Sequence, residues 1–351
     1  MKAALFYGGR DIRVEEVPDP EPGPGEVLVR VRSAGICGSD LHNYRGRSAP
    51  TQPVPWQQGH ELAGEVVELG PGVHALSVGQ RVGIEAEHLV GCGECRHCRA
   101  GQYHLCPSRG LKDGRPHGSH GFSELDACVL TNCYPLPDHV SYDDAALVDC
   151  YACGVHALHR AAFSPGDTVA ILGTGAIGLT LGQVARAWGV GRVVIIGRRR
   201  EPLDLALRAG AADEVMLGTQ GNQAEAVTTL TSGEGADVVF ETVGGDGQLL
   251  AQALAMARRG GTVCVLGLFT SPQTVDPALG MQRELTVQWS NSYSTWNGVS
   301  EYGTALKLVA AGRVDPASLV THHFPLARIS EAFATADDKQ TSGAVRVIVH
   351  P

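Results

Sequence analysis

Cys92, Cys95, Cys98 and Cys106 stand in the run Cys-Gly-Glu-Cys-Arg-His-Cys-Arg-Ala-Gly-Gln-Tyr-His-Leu-Cys. Two-residue gaps turn successive thiolates toward one tetrahedral ion, and the loop 99–105 returns the fourth. An all-thiolate shell leaves no position for a substrate, so the expected ion is a structural zinc able to fix its loop unaided. Four cysteines can also hold an iron–sulfur cluster or pair as disulfides, and a small cysteine lobe can serve as a nucleic-acid knuckle. A second set is mixed. Gly35-Ile-Cys-Gly-Ser-Asp-Leu-His42 and Gly59-His60-Glu61 supply a thiol, an imidazole and a carboxylate, the ligand types found where zinc keeps a reactive position open. Taken singly, each fragment reads equally as a buried cysteine or a satisfied histidine. Their occurrence beside the thiolate lobe and a nucleotide-type glycine turn points to a second zinc.

That turn is Gly173-Thr-Gly-Ala-Ile-Gly178. It follows the apolar run Thr168–Leu172 and opens a helix-like stretch, Ala176 to Trp188, which is the context that makes a Gly-x-Gly-x-x-Gly match a pyrophosphate site. Gly173, Gly175 and Gly178 allow the tight turn and close backbone approach. The amides around Ala176 and Ile177 face the phosphates at the positive end of the helix. An acid at the end of the next strand, Val193–Ile196, would bind both ribose hydroxyls of NAD. Here that position is Gly197, followed by Arg198, Arg199 and Arg200. The acid that would repel a 2′-phosphate is missing and guanidinium groups that chelate one are present, so the expectation is NADP before NAD. A solvated basic turn is the plainer reading of the arginines, and Glu201 could still reach a ribose. Leu266, closing a later apolar run, is a further cofactor-side candidate.

The elements that must position these residues fall into two textures. The first 150 residues carry short alternating runs such as Val27–Arg32 and Glu61–Glu68 between Pro and Gly punctuation, which reads as a β-rich domain. From Asp167 the pattern alternates strand and helix, with later strands at Ala236–Phe240 and Gly261–Leu266, as a parallel sheet demands. Beyond about residue 290, Tyr302–Ala311 looks helical and Ala344–Val349 looks like a closing strand able to rejoin the first domain. The fold class is therefore α/β with an added β-rich domain. The 351 residues, 43% of them hydrophobic, suffice for two cores. A net charge of −9 argues against nucleic acid or anionic membrane as main partner. No run is long enough to span a membrane and the start shows no cleavage pattern, so the expected location is cytoplasmic, with the ten cysteines reduced.

Through Cys37-Gly-Ser-Asp, Gly59-His-Glu, the four-cysteine lobe and Gly173–Gly178, the chain resembles the zinc-dependent medium-chain dehydrogenase/reductase family over essentially its whole length. The resemblance implies a GroES-like catalytic domain at 1–154 with its zinc lobe at about 91–107, a Rossmann domain with a doubly wound parallel sheet at 155–290, and a return segment at 291–351 completing the catalytic domain. It makes Cys37 and His60 ligands of a catalytic zinc, and Glu61 either a direct or an exchanging ligand. In Ala146-Leu-Val-Asp-Cys-Tyr-Ala-Cys-Gly154 the remaining ligand position falls on Asp149, where many alcohol dehydrogenases carry a cysteine and polyol dehydrogenases an acid. The other reading of Asp149 is a helix cap. Ser39 matches the hydroxyl that takes the substrate proton, and His42 the outer relay group. An ordinary surface imidazole is the alternative for His42.

The implied reaction is hydride exchange between a nicotinamide cofactor and a secondary hydroxyl on a small molecule, with zinc acidifying the hydroxyl or polarising the ketone. Tyr44, Trp56, His120 and Tyr293 are the pocket candidates. Sorbitol-type enzymes carry an Arg before a Tyr near the start of the returning segment, whereas Ser292 precedes Tyr293 here. A polyol, cyclitol, sugar alcohol or amino alcohol stays open, as does NAD use in the manner of a sorbitol or threonine dehydrogenase. Two rival readings are a zinc-free reductase of the same fold, which would not retain Cys37, His60 and Glu61 together, and a non-enzymatic zinc-binding interaction protein. The family also implies a homodimer or homotetramer.

Overall fold

The computed structural model describes residues 1–46, 54–86, 90–112, 115–116, 119–219 and 221–351. The chain forms two compact units. The first comprises Met1–Asp149, Ser294–Ala310 and Pro316–Pro351, and the second Cys150–Tyr293 and Ala311–Asp315. Residues 311–315, expected within the return segment of the catalytic domain, thus cluster with the second unit.

In the first unit the strand Glu26–Gly35 is the organising element. Its Val27, Val29 and Val31 are buried, and it pairs antiparallel with Glu61–Leu69, Leu125–Val129 and Arg346–His350. The seven-stranded sheet continues through Arg81–Ile84 to Cys133–Pro135 on one side and to Val320–Pro325 on the other. The last of these runs parallel to Arg346–His350, which explains how a closing segment joins a sheet begun by the amino terminus. A hairpin, Lys2–Gly8 with Asp11–Glu16, and the helix Ile329–Asp337 complete the core, where Phe333 lies edge-on to Phe122 at 5.5 Å. Burial runs unbroken through the first four residues of Glu26–Gly35, of Glu61–Leu69 and of Arg346–His350, so these stretches are covered on both faces.

In the second unit six parallel strands run in the order Glu214–Leu217, Arg192–Gly197, Thr168–Leu172, Ala236–Glu241, Ala257–Val265, Thr286–Trp289. Numbered along the chain this is 3-2-1-4-5-6, the doubly wound dinucleotide-binding order, whose crevice opens beyond the strand ends where the order reverses. Helices Ala176–Ala187, Arg200–Arg208, Gln223–Leu230, Leu249–Met256 and Pro277–Arg283 make the crossovers that parallel pairing requires. Val169, Ala170, Ile171, Val193, Val194 and Ile195 are all fully buried, as expected of central strands covered on both faces. Among the described residues no helix is long and apolar enough to cross a membrane.

Candidate zinc and dinucleotide sites

The thiolate lobe is nearly self-contained. Cys95 caps the short helix Arg96–Arg99, a 3-10 turn spans Tyr103–Leu105, and Cys106 follows it, buried. The Sγ atoms of Cys92, Cys95, Cys98 and Cys106 all lie within 4.8 Å of one another, with Cys92 and Cys98 at 4.0 Å. Zn–S bonds of about 2.3 Å in a tetrahedron require S–S separations of about 3.8 Å, so the four sulfurs are gathered close to the spacing of a zinc cage. Backbone N–H groups already point at the sulfurs: Cys92 N donates to Cys106, Cys95 N to Cys92 and Cys98 N to Cys95, each at 3.4 Å. Such bonds, led by that from Cys95, draw the Cys92 thiol down to about 6, the direction a metal-binding thiolate needs. Burial instead pushes Cys98 up to about 12. None of the ten cysteines is bridged in this fold.

The lobe is tied to the sheet through a buried carboxyl. Tyr103 and Tyr134 both donate their hydroxyls to Glu85, the latter at 2.8 Å, and Tyr134 is in turn 2.8 Å from the Ser300 hydroxyl. Burial pushes Glu85 up to about 7 against the pull of the two phenols.

The mixed cluster is assembled from the fold. Cys37 is the N-cap of the helix Gly38–Tyr44, and its backbone N–H donates to Asp40 Oδ2 at 2.9 Å in a capping box. Gly59, at φ +108°, makes the turn into the strand Glu61–Leu69. A Cβ there would meet Phe122 N at 2.9 Å, so only glycine brings His60 and Glu61 in at this angle. The donor atoms of Cys37, His60 and Glu61 then lie within 4.8 Å of one another. Asp40 Oδ1 faces His60 Nδ1 at 3.8 Å; a carboxylate on that side of the ring selects the tautomer that ligates through Nε2. Burial pulls the His60 imidazole down, but Cys37 and Asp40 together push it up to about 10. Burial likewise raises Cys37, and the charge and hydrogen bond of His60 reverse this, leaving the thiol below its ordinary value. A thiolate paired with an imidazolium is the charge pattern that a divalent cation replaces with release of a proton.

Glu61 is fully buried and ion-paired with Arg346, itself only 2% exposed, whose Nη1 donates to the Ile36 carbonyl at 3.2 Å. A Cβ on Gly35 would collide with both partners, so the glycine makes room for the pair. Asp149 sits in the first turn of the helix Val148–Ala161, 7% exposed, and its charge helps to raise His60. It lies outside the tight set formed by Cys37, His60 and Glu61. Ser39 and His42 are three residues apart on the helix that Cys37 caps, Ser39 exposed and His42 half-buried, which sets them on one face.

The pocket candidates part company. Tyr44 is buried with its ring 5.4 Å from Phe333, and Trp56 packs edge-on against Phe6 at 4.6 Å, so both belong to the core of the first unit. His120 is half-exposed and held by Asp126, to which its backbone donates at 2.8 Å. Tyr293 is fully buried in the second unit. Asp40 and Arg346 are the site residues that spacing alone did not single out. Asp40 lay within the quoted Cys37 motif. The signal for Arg346 is a cation in the middle of an otherwise apolar closing strand.

In the second unit each glycine of the turn has a separate reason. Gly173 has φ +120°, and a Cβ would approach the Thr242 hydroxyl to 2.5 Å. Gly175, the N-cap of the helix Ala176–Ala187, faces open space, the room a pyrophosphate would take. A Cβ on Gly178 would strike the Gly173 carbonyl. At the end of the next strand, Gly197 lies so close to the Thr174 side chain that a Cβ would meet its methyl at 2.5 Å. Arg198 is exposed, Arg199 stands at the N-terminal boundary of the helix Arg200–Arg208 with no side-chain cap, and Arg200 pairs with Asp204 at 2.9 Å. Leu266 directly follows the strand Ala257–Val265, its N–H bonded to the Glu241 carbonyl at 2.8 Å.

Residues 23–138 match the alcohol dehydrogenase GroES-like domain and residues 176–311 the zinc-binding dehydrogenase family. Sorbitol dehydrogenase of Bacillus subtilis (strain 168) is 32% identical over 100% of this chain and 97% of its own length. L-threonine 3-dehydrogenase of Saccharopolyspora erythraea is 37% identical, covering 93% of this chain and 92% of its own. Among solved structures, an alcohol dehydrogenase of Escherichia coli CFT073 complexed with NADH superposes with a TM-score of 0.89 at 26% identity, over 100% of this chain and 99% of that one. A Sinorhizobium meliloti 1021 protein described as a zinc-binding dehydrogenase, bound to NADP, gives 0.88 at 30% identity with the same coverage. The chain belongs to the zinc-dependent medium-chain alcohol dehydrogenase family, with its GroES-like and Rossmann-type domains.

Proposed function

We propose that this protein is an NADP-preferring zinc dehydrogenase that interconverts a secondary alcohol on a small polar molecule and the corresponding ketone, with a polyol, cyclitol, sugar alcohol or amino alcohol as substrate class. The relatives named for sorbitol and for threonine support that class, both being secondary alcohols flanked by polar groups. Cys37 and His60, with Glu61 or Asp149 completing the set, would hold a zinc ion, which when bound would supply the Lewis acidity to lower a hydroxyl pKa and polarise a carbonyl. Asp40 orients His60, and Arg346 balances the buried charge of Glu61. The Ser39 hydroxyl passes the substrate proton outward and His42 carries it to solvent, serine being too weak a base to keep it. Cys92, Cys95, Cys98 and Cys106 would hold a second zinc in a structural role.

The cofactor preference rests on Gly197. The acid of an NAD site is not simply missing there, because Thr174 fills the space its Cβ would need, while Arg198 to Arg200 stand directly after it. The ion pair of Arg200 with Asp204, and Glu201 in the same helical turn, favour the second reading, an NAD-linked enzyme of the same reaction class. Comparing kcat/KM for the two cofactors over a panel of secondary alcohols decides between them. Replacing both Arg198 and Arg199 by Ala should raise the KM for NADP by about a hundredfold or more, each charge-assisted phosphate contact contributing on the order of 1.5–3 kcal/mol, and leave that for NAD nearly unchanged. A higher efficiency with NAD in the unaltered enzyme would overturn the NADP reading.

A soluble small-molecule partner fits the acidic chain. The exposed edge strand Thr286–Trp289, with Trp289 61% exposed, supports self-association of the kind the family shows.

A further inference from the structure

A third group of metal-ligand side chains lies in the first unit and shares no residue with either zinc set. Asp143, in the helix Tyr142–Ala146, meets His323 of the strand Val320–Pro325 and His350 of the strand Arg346–His350. His350 Nε2 is 2.9 Å from Asp143 Oδ1, and His323 Nδ1 is 3.4 Å from Asp143 Oδ2. The two imidazoles stack with centroids 5.3 Å apart at 22°. One donor atom from each of the three residues lies within 4.8 Å of the other two. We propose that Asp143, His323 and His350 form a surface site for a divalent transition-metal ion of the zinc, cobalt or nickel class, separate from the two zinc sites of the fold.

The geometry makes these residues more than an incidental ion pair. Each comes from a regular element, and pairing places the two histidines together. The strands run parallel, with His323 opposite Ile348, and alternation along a strand returns residue 350 to the face of 348. The helix that carries Asp143 is fixed by its own capping box at Ser141. The fully buried Ser33 donates its hydroxyl to Asp143 Oδ1 at 2.7 Å, so the carboxylate is oriented by a group behind it, as metal-ligating carboxylates are. Metal–N and metal–O bonds of about 2.0–2.2 Å require donors about 3.0–3.5 Å apart, close to the separations already present. Two imidazoles with one carboxylate suit zinc, cobalt, nickel or copper rather than magnesium or calcium. The side chains of His323 and His350 are 51% and 41% exposed, which opens the site to ions from solvent and leaves coordination positions to water. A bound ion would join a helix to the ends of two strands at one edge of the sheet, one of them the strand that carries Arg346.

The test uses the full-length enzyme as purified with its resident zinc, equilibrium-dialysed against a series of free Zn2+ concentrations and analysed for metal per chain. The unaltered protein should take up one equivalent more than His323→Gln, His350→Gln or Asp143→Asn at every zinc concentration that saturates it. Excess Mg2+ should not displace that equivalent. Equal uptake by the unaltered protein and all three variants would overturn the proposal, and displacement by Mg2+ would overturn the assigned metal class. Because the comparison is a difference between proteins that share the other zinc ligands, it stands whether or not the catalytic reading of Cys37 and His60 is correct. Unchanged turnover and an unchanged melting temperature in the variants show that the first unit, which carries all three residues, is folded.

Discussion

The thiolate lobe takes its four donors from residues 92–106, whereas the mixed cluster draws Cys37 from a helix cap and His60 and Glu61 from a strand, and relies on Arg346 from the far end of the chain. The lobe is folded locally and partly exposed, and its sulfurs are held by amides of the same loop. The cluster is part-buried, unlike in donor type, and surrounded by charges that must balance: Asp40, Arg346 and Asp149. A closed shell of identical ligands needs only a loop of the right length. An open one needs a scaffold that holds unlike ligands short of saturation, which is why its supporting residues are distant in sequence. On this view the lobe governs stability and the cluster governs chemistry, and each can be disturbed without the other.

The largest effect is expected at the cluster. Cys37→Ala should reduce turnover to background while the affinity for NADPH, measured by fluorescence titration, stays within about twofold of the unaltered enzyme, since the dinucleotide turn lies in the other unit. Metal analysis should find one zinc fewer. Loss of cofactor affinity in parallel with turnover would collapse the distinction, because the residue would then be supporting the fold.

At the lobe the balance reverses. Cys98→Ala should release the structural zinc and lower the melting temperature; a loss of about 3 kcal/mol corresponds to roughly 10 °C for a domain of this size. Well below that transition, kcat should fall by no more than about threefold, the catalytic ligands being untouched. A variant that melts normally but cannot turn over would mean that the lobe, not the cluster, is where the chemistry happens.

What could be read from residue order follows the same division. The lobe, the glycine turn and the strands Thr168–Leu172 and Arg192–Gly197 are local patterns, and a local pattern is visible in a single sequence. Arg346 was not, because its partner Glu61 is brought to it only by the pairing of the closing strand with Glu26–Gly35. The same holds for Asp143 with His323 and His350, three unremarkable positions until two parallel strands and a helix converge. Tyr44 and Trp56, picked out by their places relative to the zinc ligands and by the family pattern, pack into the core of the first unit, as large aromatic side chains with much apolar area do. Residues 311–315 join the second unit for a similar reason: Asp315 N–H donates to Gln183 at 3.0 Å, a contact no composition shift announces.

The smallest effect is at the joint between lobe and sheet, and it separates local from borrowed stability. Glu85 is faced by Tyr103 from the lobe, Tyr134 from the neighbouring strand, and the charges of Asp149 and Glu301. Its folded value of about 7 exceeds its ordinary 4.5, so between those pH values the folded protein holds a proton that the unfolded chain has released. Stability from this group is therefore full below pH 4.5, declines as pH rises toward 7, and is level above it, with an amplitude of about 3 kcal/mol. Urea unfolding at pH 5 and pH 7.5 should show that decline in the unaltered protein and a flatter response in Glu85→Gln, which keeps a carbonyl acceptor without a titrating proton. The same variant tests how far the lobe stands alone. If its four thiolates and backbone amides suffice, a chelator should strip zinc from Glu85→Gln and from the unaltered protein at the same rate. Faster stripping from the variant would show that Tyr103, reaching out of the lobe to a buried carboxyl, gives the closed site part of its stability from the scaffold on which the open one depends.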